Sequence, residues 1–295
     1  MNNAGPRETD SGGHEFDALL PAEMAQKAER IGAQKTRLDV LSFLVLAILA
    51  GAFIALGAMF ATIVLTGADG VLAYGVSQLL AGSVFCLGLI LVIVGGAELF
   101  TGNTLIVIAL AAGEIRLVEM LRAWVIAYIG NFIGAVGTAI LVFLSGQYLS
   151  DHGSVGEVAL KLAVFKVTLP WDRAFFLGIL CNVLVCLAVW LSYGARTITD
   201  KVLAVIFPVS AFVAAGFEHS VANMYLVPIG MLLKNFAPAE FIASGTLGAV
   251  NLDALTLPGF LLSLVPVTLG NIVGGGVLVG VVYWFIYLRP SRPQS

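Results

Sequence analysis

The stretch Phe212–Met231, FVAAGFEHSVANMYLVPIGM, constrains the fold more than any other part of the chain. Its ends are apolar enough for a bilayer, yet between Glu218 and Asn223 it carries an acid, an imidazole, a hydroxyl and an amide. In hydrocarbon each such group is costly unless it finds a partner, which excludes a plain lipid-facing helix. A transmembrane helix broken here, with its irregular turn lining a cavity at membrane depth, meets the requirement. An ionisable residue in such a turn marks a functional site.

The frame occurs twice. Glu98-Leu99-Phe100-Thr101-Gly102-Asn103 repeats the Glu-x-x-x-x-Asn pattern of Glu218–Asn223, again inside apolar sequence. Gly130-Asn131-Phe132-Ile133-Gly134 is echoed by Gly270-Asn271-Ile272-Val273-Gly274. Paired interruptions at corresponding positions of two halves point to a transport site near the bilayer midplane.

The rest of the composition fits. The chain is 59% hydrophobic and 11% charged, with a mean hydropathy of +1.00. Its 295 residues accommodate about six spans of ~20 residues and little else. Hydrophobic units fall at 40–66, 76–112, 118–146, 172–195, 202–235 and 258–288. The second and fifth are too long for single spans and contain the interruptions. Asn103 and Asn223 are expected to cap the half-helices that follow, and Glu98 and Glu218 to satisfy backbone donors freed at the breaks. All four read as structural residues.

Lys and Arg in the loops set the orientation. With the N-terminus inside, the inner side carries Arg7, Lys27, Arg30, Lys35, Arg37, Arg116, Arg122, Arg196, Lys201, Arg289 and Arg292, and the outer side Lys161, Lys166, Arg173 and Lys234. Both termini are therefore expected in the cytoplasm. Each half then holds an odd number of spans, so the halves are inserted upside down relative to one another. The expected fold is an all-α polytopic membrane protein with six transmembrane helices, an aquaporin-like inverted repeat of three plus three with the second and fifth broken. Residues 1–39 form a cytoplasmic segment, disordered at first and then a surface helix from about Pro21 to Arg37. Residues 40–288 form the channel domain, with repeats at about 40–146 and 172–288, and 289–295 a cytoplasmic tail. The helix's Lys27, Arg30, Lys35 and Arg37 suit either an anionic membrane surface or a solvated position.

Other chemistries find little support. Cys86, Cys181 and Cys186 lie singly in apolar spans, which argues against metal or disulfide chemistry. No basic stripe suggests nucleic acid, no ATP-binding motif is present, and residues 1–40 do not read as a signal peptide. No cofactor is expected. His14 and His152 lie in polar regions, so an intramembrane enzyme lacks the converging acid–base groups it needs. An aquaporin-type channel would show paired Asn-Pro-Ala turns, which are missing here.

Three separated motifs, Ala97–Thr104 (AELFTGNT), Leu177–Trp190 (LGILCNVLVCLAVW) and Gly216–Met224 (GFEHSVANM), resemble the formate/nitrite transporter family over roughly residues 20–288. The resemblance implies a bacterial inner-membrane homopentamer with one pore per protomer, passing small monovalent anions or their conjugate acids. It places His219 at the pore centre, Thr101 opposite it, Asn182 in the wall of the fourth span and Lys166 in an outer vestibule. Phe85, Leu89, Leu99 and Phe212 fall at the apolar constrictions. Formate, passing bidirectionally or with proton coupling, is the substrate the resemblance favours, and nitrite or hydrosulfide the alternatives. The Thr101-Gly102 pair is the form common in nitrite-type members, whereas Leu187–Tyr193 (LAVWLSY) looks formate-like.

Overall fold

The structure is a computed structural model that describes residues 18–243 and 251–289. Residues 1–15, expected to be disordered, lie outside the described residues, as does most of the 289–295 tail. Among the described residues the regular elements are helices.

Helix α1 (Pro21–Thr36) precedes α2 (Val40–Leu65), α3 (Tyr74–Gly95) and the short α4 (Phe100–Asn103). A 3-10 turn, Thr104–Ile106, leads into α5 (Val107–Ala111), and α6 (Leu117–Leu144) follows. The second half runs through α7 (Ser154–Thr168), α8 (Trp171–Gly194), α9 (Ile198–Ala214), α10 (Ser220–Phe236), α11 (Ala239–Ala243) and α12 (Leu257–Asn271). A π-helical stretch, Ile272–Val281, then continues into α13 (Val282–Tyr287). Among the described residues five helices are long and apolar enough to cross a membrane: α2, α3, α6, α8 and the continuous helix Leu257–Tyr287. Two of them open on a side-chain cap. Asp39 accepts the Ser42 amide at 2.9 Å ahead of α2, and Thr256 caps α12 through the Gly259 amide.

Packing relies on close backbone approach. On α6, a Cβ at Gly134 would collide with the Ile48 carbonyl of α2; in the π-helical stretch after α12, a Cβ at Gly274 would collide with the Ile179 carbonyl of α8. The same device thus occurs in both halves, and it fits bilayer packing, where small residues let helices meet.

Two elements differ from the sequence reading. The outer loop expected after residue 146 contains α7, which packs against α10 and α2. The expected surface helix α1 is seated on the bundle, with Met24, Ala25, Ala28, Gly32 and Ala33 buried. Its Lys35 points inward, Lys27 donates to the Tyr193 carbonyl at 2.8 Å, and Arg122 of α6 donates to the Thr36 carbonyl at 2.6 Å. Small residues along one α1 face permit this close seating, and Arg30 and Arg37 stay exposed.

Candidate functional site

Both interruptions are built in the same way. Helices α3 and α9 end at Gly96 (φ +80°) and Gly216 (φ +69°), left-handed positions that suit glycine. The following amides turn back, Ala97 N to Val92 O at 2.9 Å and Phe217 N to Phe212 O at 3.0 Å, closing each helix as a Schellman motif. The chain then runs extended, Glu98 N donating to Leu46 O and Glu218 N to Leu177 O.

Two asparagines take the place of the missing helical partners. Asn131 Oδ1 accepts the Phe100 amide at 2.8 Å, while its Nδ2 donates to the carbonyls of Ala47 and Glu98. In the other half Asn271 Oδ1 accepts the Ser220 amide at 3.0 Å, and its Nδ2 donates to the carbonyls of Gly178 and Glu218. Both side chains are fully buried. Backbone groups at a break inside a membrane need such partners.

The carboxylates carry matching sets of donors. Glu98 Oε2 accepts from Lys35 Nζ at 2.8 Å and Asn103 Nδ2 at 2.9 Å. Glu218 accepts from Lys166 Nζ at 2.6 Å and Asn223 Nδ2 at 2.8 Å. Asn103 and Asn223 therefore hold carboxylates and do not cap α4 and α10. They lie a full turn inside those helices, whose N-cap residues are Leu99 and His219. Lys166 sits near the end of α7, its side chain only 11% exposed, and so is not a loop lysine.

The halves diverge one residue beyond each glutamate, Leu99 in one and His219 in the other. His219 is the α10 N-cap: its Nδ1 accepts the Ala222 amide at 3.1 Å. That acceptor role leaves the proton of a neutral imidazole on Nε2. Nε2 lies 3.0 Å from Thr101 Oγ1 of the first half.

Two cavities flank this contact. One, of about 200 Å³ on the α1 side, is lined by Lys35, Leu89, Leu99, Gly102, Asn103 and Tyr193 among others. The other, of about 250 Å³ on the α7 side, is lined by Tyr74, Phe85, Lys166, Phe212, His219 and Asn223 among others. They share no lining residue. Phe85 meets Phe212 edge-on at 5.6 Å, and Phe212 stacks on the His219 ring at 5.9 Å. The apolar residues expected at constrictions thus divide into Leu89 and Leu99 on one side, Phe85 and Phe212 on the other. Paired breaks and a buried imidazole lie beside two cavities whose walls include these four apolar residues.

Known proteins agree. The family model for the formate/nitrite transporter matches residues 22–285. The chain belongs to the formate/nitrite transporter family. It is 44% identical over 277 residues to the formate channel FocA of Escherichia coli (strain K12), covering 94% of this chain and 97% of that protein. It is 42% identical over 266 residues to FocA of Haemophilus influenzae, covering 90% and 93%. A solved pentameric formate channel with formate bound superposes with a TM-score of 0.78 at 44% identity, over 85% of this chain and 98% of that one.

Within this family member, Thr101 and Asn182 line neither cavity. Asn182 is fully buried, and its Nδ2 reaches Thr101 O at 3.2 Å, Thr104 Oγ1 at 3.1 Å and Asn271 O at 2.6 Å. It joins the α4 break to the end of α12. Sequence reasoning missed Lys35 as the counterpart of Lys166, and the clamping role of Asn131 and Asn271. The doubled Gly-Asn pattern was the signal for the asparagines. Lys35 offered none, because its partner lies 63 residues away.

Proposed function

We propose that this protein is a formate channel, working as a homopentamer with one pore through each protomer. The observation that carries the reading is the His219–Thr101 contact, set beside two cavities that each hold a lysine and an asparagine. The fold we infer is six spans in an inverted repeat, supported by the matched breaks and their matched asparagine clamps. The distribution of Lys and Arg puts the α1 face in the cytoplasm.

A bare anion at the bilayer centre is expensive, and the phenylalanine and leucine narrowings raise that cost. Formate is a carboxylate with a proton affinity near that of an Asp side chain, pKa ~3.9 in water. Desolvation favours its neutral acid as it leaves a vestibule. The lysines supply positive charge at each mouth, tempered by the glutamates they pair with. At the centre, the Nε2–H of His219 and the Thr101 hydroxyl offer donors to a carboxyl group in transit. The cap on Nδ1 supports a neutral, orienting imidazole, so the proton that neutralises formate arrives with the substrate. This is transport, with no bond made or broken by the protein beyond proton exchange.

Gly102, which lines the α1-side cavity, favours nitrite as the second substrate. The deciding experiment is flux into sealed proteoliposomes of formate, nitrite, hydrosulfide and acetate, each at pH about 5.5 and 7.5. Formate flux well above protein-free vesicles, rising at the lower pH, is expected. Formate flux at the protein-free level while nitrite or hydrosulfide passes would overturn the substrate assignment.

A further inference from the structure

Helix α4 is a single turn of four residues, Phe100–Asn103, and it carries the Thr101 hydroxyl that meets His219. One turn of helix has no stability of its own, so its rotation about the axis is set by whatever grips it. Its counterpart α10 runs for 17 residues and holds His219 through its own cap. The first half needs an outside support.

One face of α6 supplies it. Trp124, Tyr128 and Asn131 stand at i, i+4 and i+7, so they line one side of the helix. Asn131 takes the Phe100 amide at the start of α4. Tyr128 and Trp124 meet the Phe100 ring edge-on, with centroids 5.0 and 6.3 Å away. At the end of α4 the Trp124 Nε1–H donates to the Asn103 carbonyl at 2.9 Å. In a regular α-helix that carbonyl would accept from Val107, but the 3-10 turn sends the Val107 amide to the carbonyls of Leu105 and Thr104. The indole occupies an acceptor that the Val107 amide has left.

The second half is built differently. Counted from the paired Gly-Asn motifs, the α12 residues matching Trp124 and Tyr128 are Leu264 and Thr268. Thr268 is instead the far anchor of the brace, its Oγ1 lying 2.9 Å from the Tyr128 hydroxyl. This bond joins α6 and α12 at corresponding positions and fixes the Tyr128 ring that packs on Phe100.

We infer that Trp124 and Tyr128 are positioning residues for permeation, holding α4 at the rotation that turns the Thr101 hydroxyl toward His219 Nε2. Neither residue lines either cavity, so both act through Thr101. The inference rests on the reading of the His219–Thr101 contact as the centre of the formate path.

The test uses the full chain and three readouts: Tm in detergent, formate flux per folded protein in proteoliposomes, and the Nε2 resonance of His219 in nitrogen-15 histidine-labelled protein. The chain has 3 histidines, and loss of a signal in His219→Asn assigns the one that matters. Trp124→Phe keeps a ring beside Phe100 and removes the donor to Asn103. Flux should fall about fivefold, the equivalent of one net hydrogen bond, and the Nε2 resonance should move toward its position in Thr101→Val. In a Thr101→Val background the same substitution should change flux by less than about twofold, within the scatter of such comparisons.

A lowered Tm with wild-type flux and an unmoved Nε2 resonance would make the brace merely structural and overturn the inference. So would a full fivefold loss repeated in the Thr101→Val background. Tyr128→Phe, which loses only the Thr268 bond, should move the resonance in the same direction. Should Trp124→Phe fail to fold, this variant decides, and an unmoved resonance sinks the proposal. Wild-type protein that carries no formate, but whose Nε2 resonance moves in Trp124→Phe, would refute the substrate reading and leave the brace standing.

Discussion

Nε2 of His219 lies 3.0 Å from Oγ1 of Thr101, each residue coming from a different helix break. The contact joins the two halves of the chain. It also explains why the halves are unequal there, since the position matching His219 is Leu99 and has no polar group to offer.

Replacing His219 should therefore separate two roles. His219→Phe keeps the ring outline against Phe212 but loses both the α10 cap and the Thr101 partner. Formate flux should fall at least about tenfold, the effect of one hydrogen bond worth ~1.4 kcal/mol. His219→Asn retains a good cap and a hydrogen-bonding tip but cannot titrate. It should conduct, and because the proton arrives with the substrate its dependence on pH should follow that of the wild type. Wild-type rates in both variants would reduce the imidazole to packing.

Lys166 is bonded to a fully buried carboxylate, so its removal is a stability experiment before it is a transport one. Lys166→Ala leaves Glu218 buried without its cation, which should cost ~3–5 kcal/mol. The double variant Lys166→Met/Glu218→Gln removes both charges and should recover most of the lost thermal stability in detergent. Additive losses in the double variant would show that the pair is not coupled. In the folded double variant, formate uptake at low salt reports whether the lysine also draws anions into the vestibule.

The breaks were legible in the sequence because polar residues stand out in apolar surroundings, and the pairing of Glu98–Asn103 with Glu218–Asn223 survived into the structure as two carboxylate–amide contacts. What failed was the inference from a local position to a local partner. Asn103 looked like a cap because it sits near a helix start, yet its amide reaches back to Glu98. Helix α7 carries no such local signal, since Lys161 and Lys166 count in the sequence only as outer-side charges; packing against α10 and α2 stabilises it. The partners of Asn131 are backbone groups 31 to 84 residues away, and no local pattern encodes such distances.

Those clamps make a strong prediction. Asn271→Leu removes partners from the Ser220 amide and from the carbonyls of Gly178 and Glu218, and each buried group left unpaired costs ~1–3 kcal/mol. The variant should yield little monodisperse protein. Asn271→Asp keeps an acceptor for Ser220 but loses the donors, and should fold with a lowered Tm and faster exchange of the Ser220 amide. Normal stability in Asn271→Leu would mean that water or another side chain satisfies the break.

Substrate choice can be probed at Gly102, which lines the α1-side cavity beside Leu99 and Asn103. A Cβ at this position would meet Val189 Cγ2 at 3.6 Å, an ordinary van der Waals contact. Serine is thus accommodated without moving the backbone, and it is a tolerable residue within a helix. The Gly102→Ser variant should keep the wild-type stability to within about 0.5 kcal/mol, the range of unstrained substitutions. Its hydroxyl adds a donor to the vestibule one residue from Thr101, so the ratio of formate to nitrite flux should rise while total flux stays of the same order. Paired measurements in one proteoliposome preparation, with each anion at equal concentration, give that ratio directly. An unchanged ratio in a stable, conducting Gly102→Ser would show that selection occurs beyond this vestibule, at the His219–Thr101 contact itself.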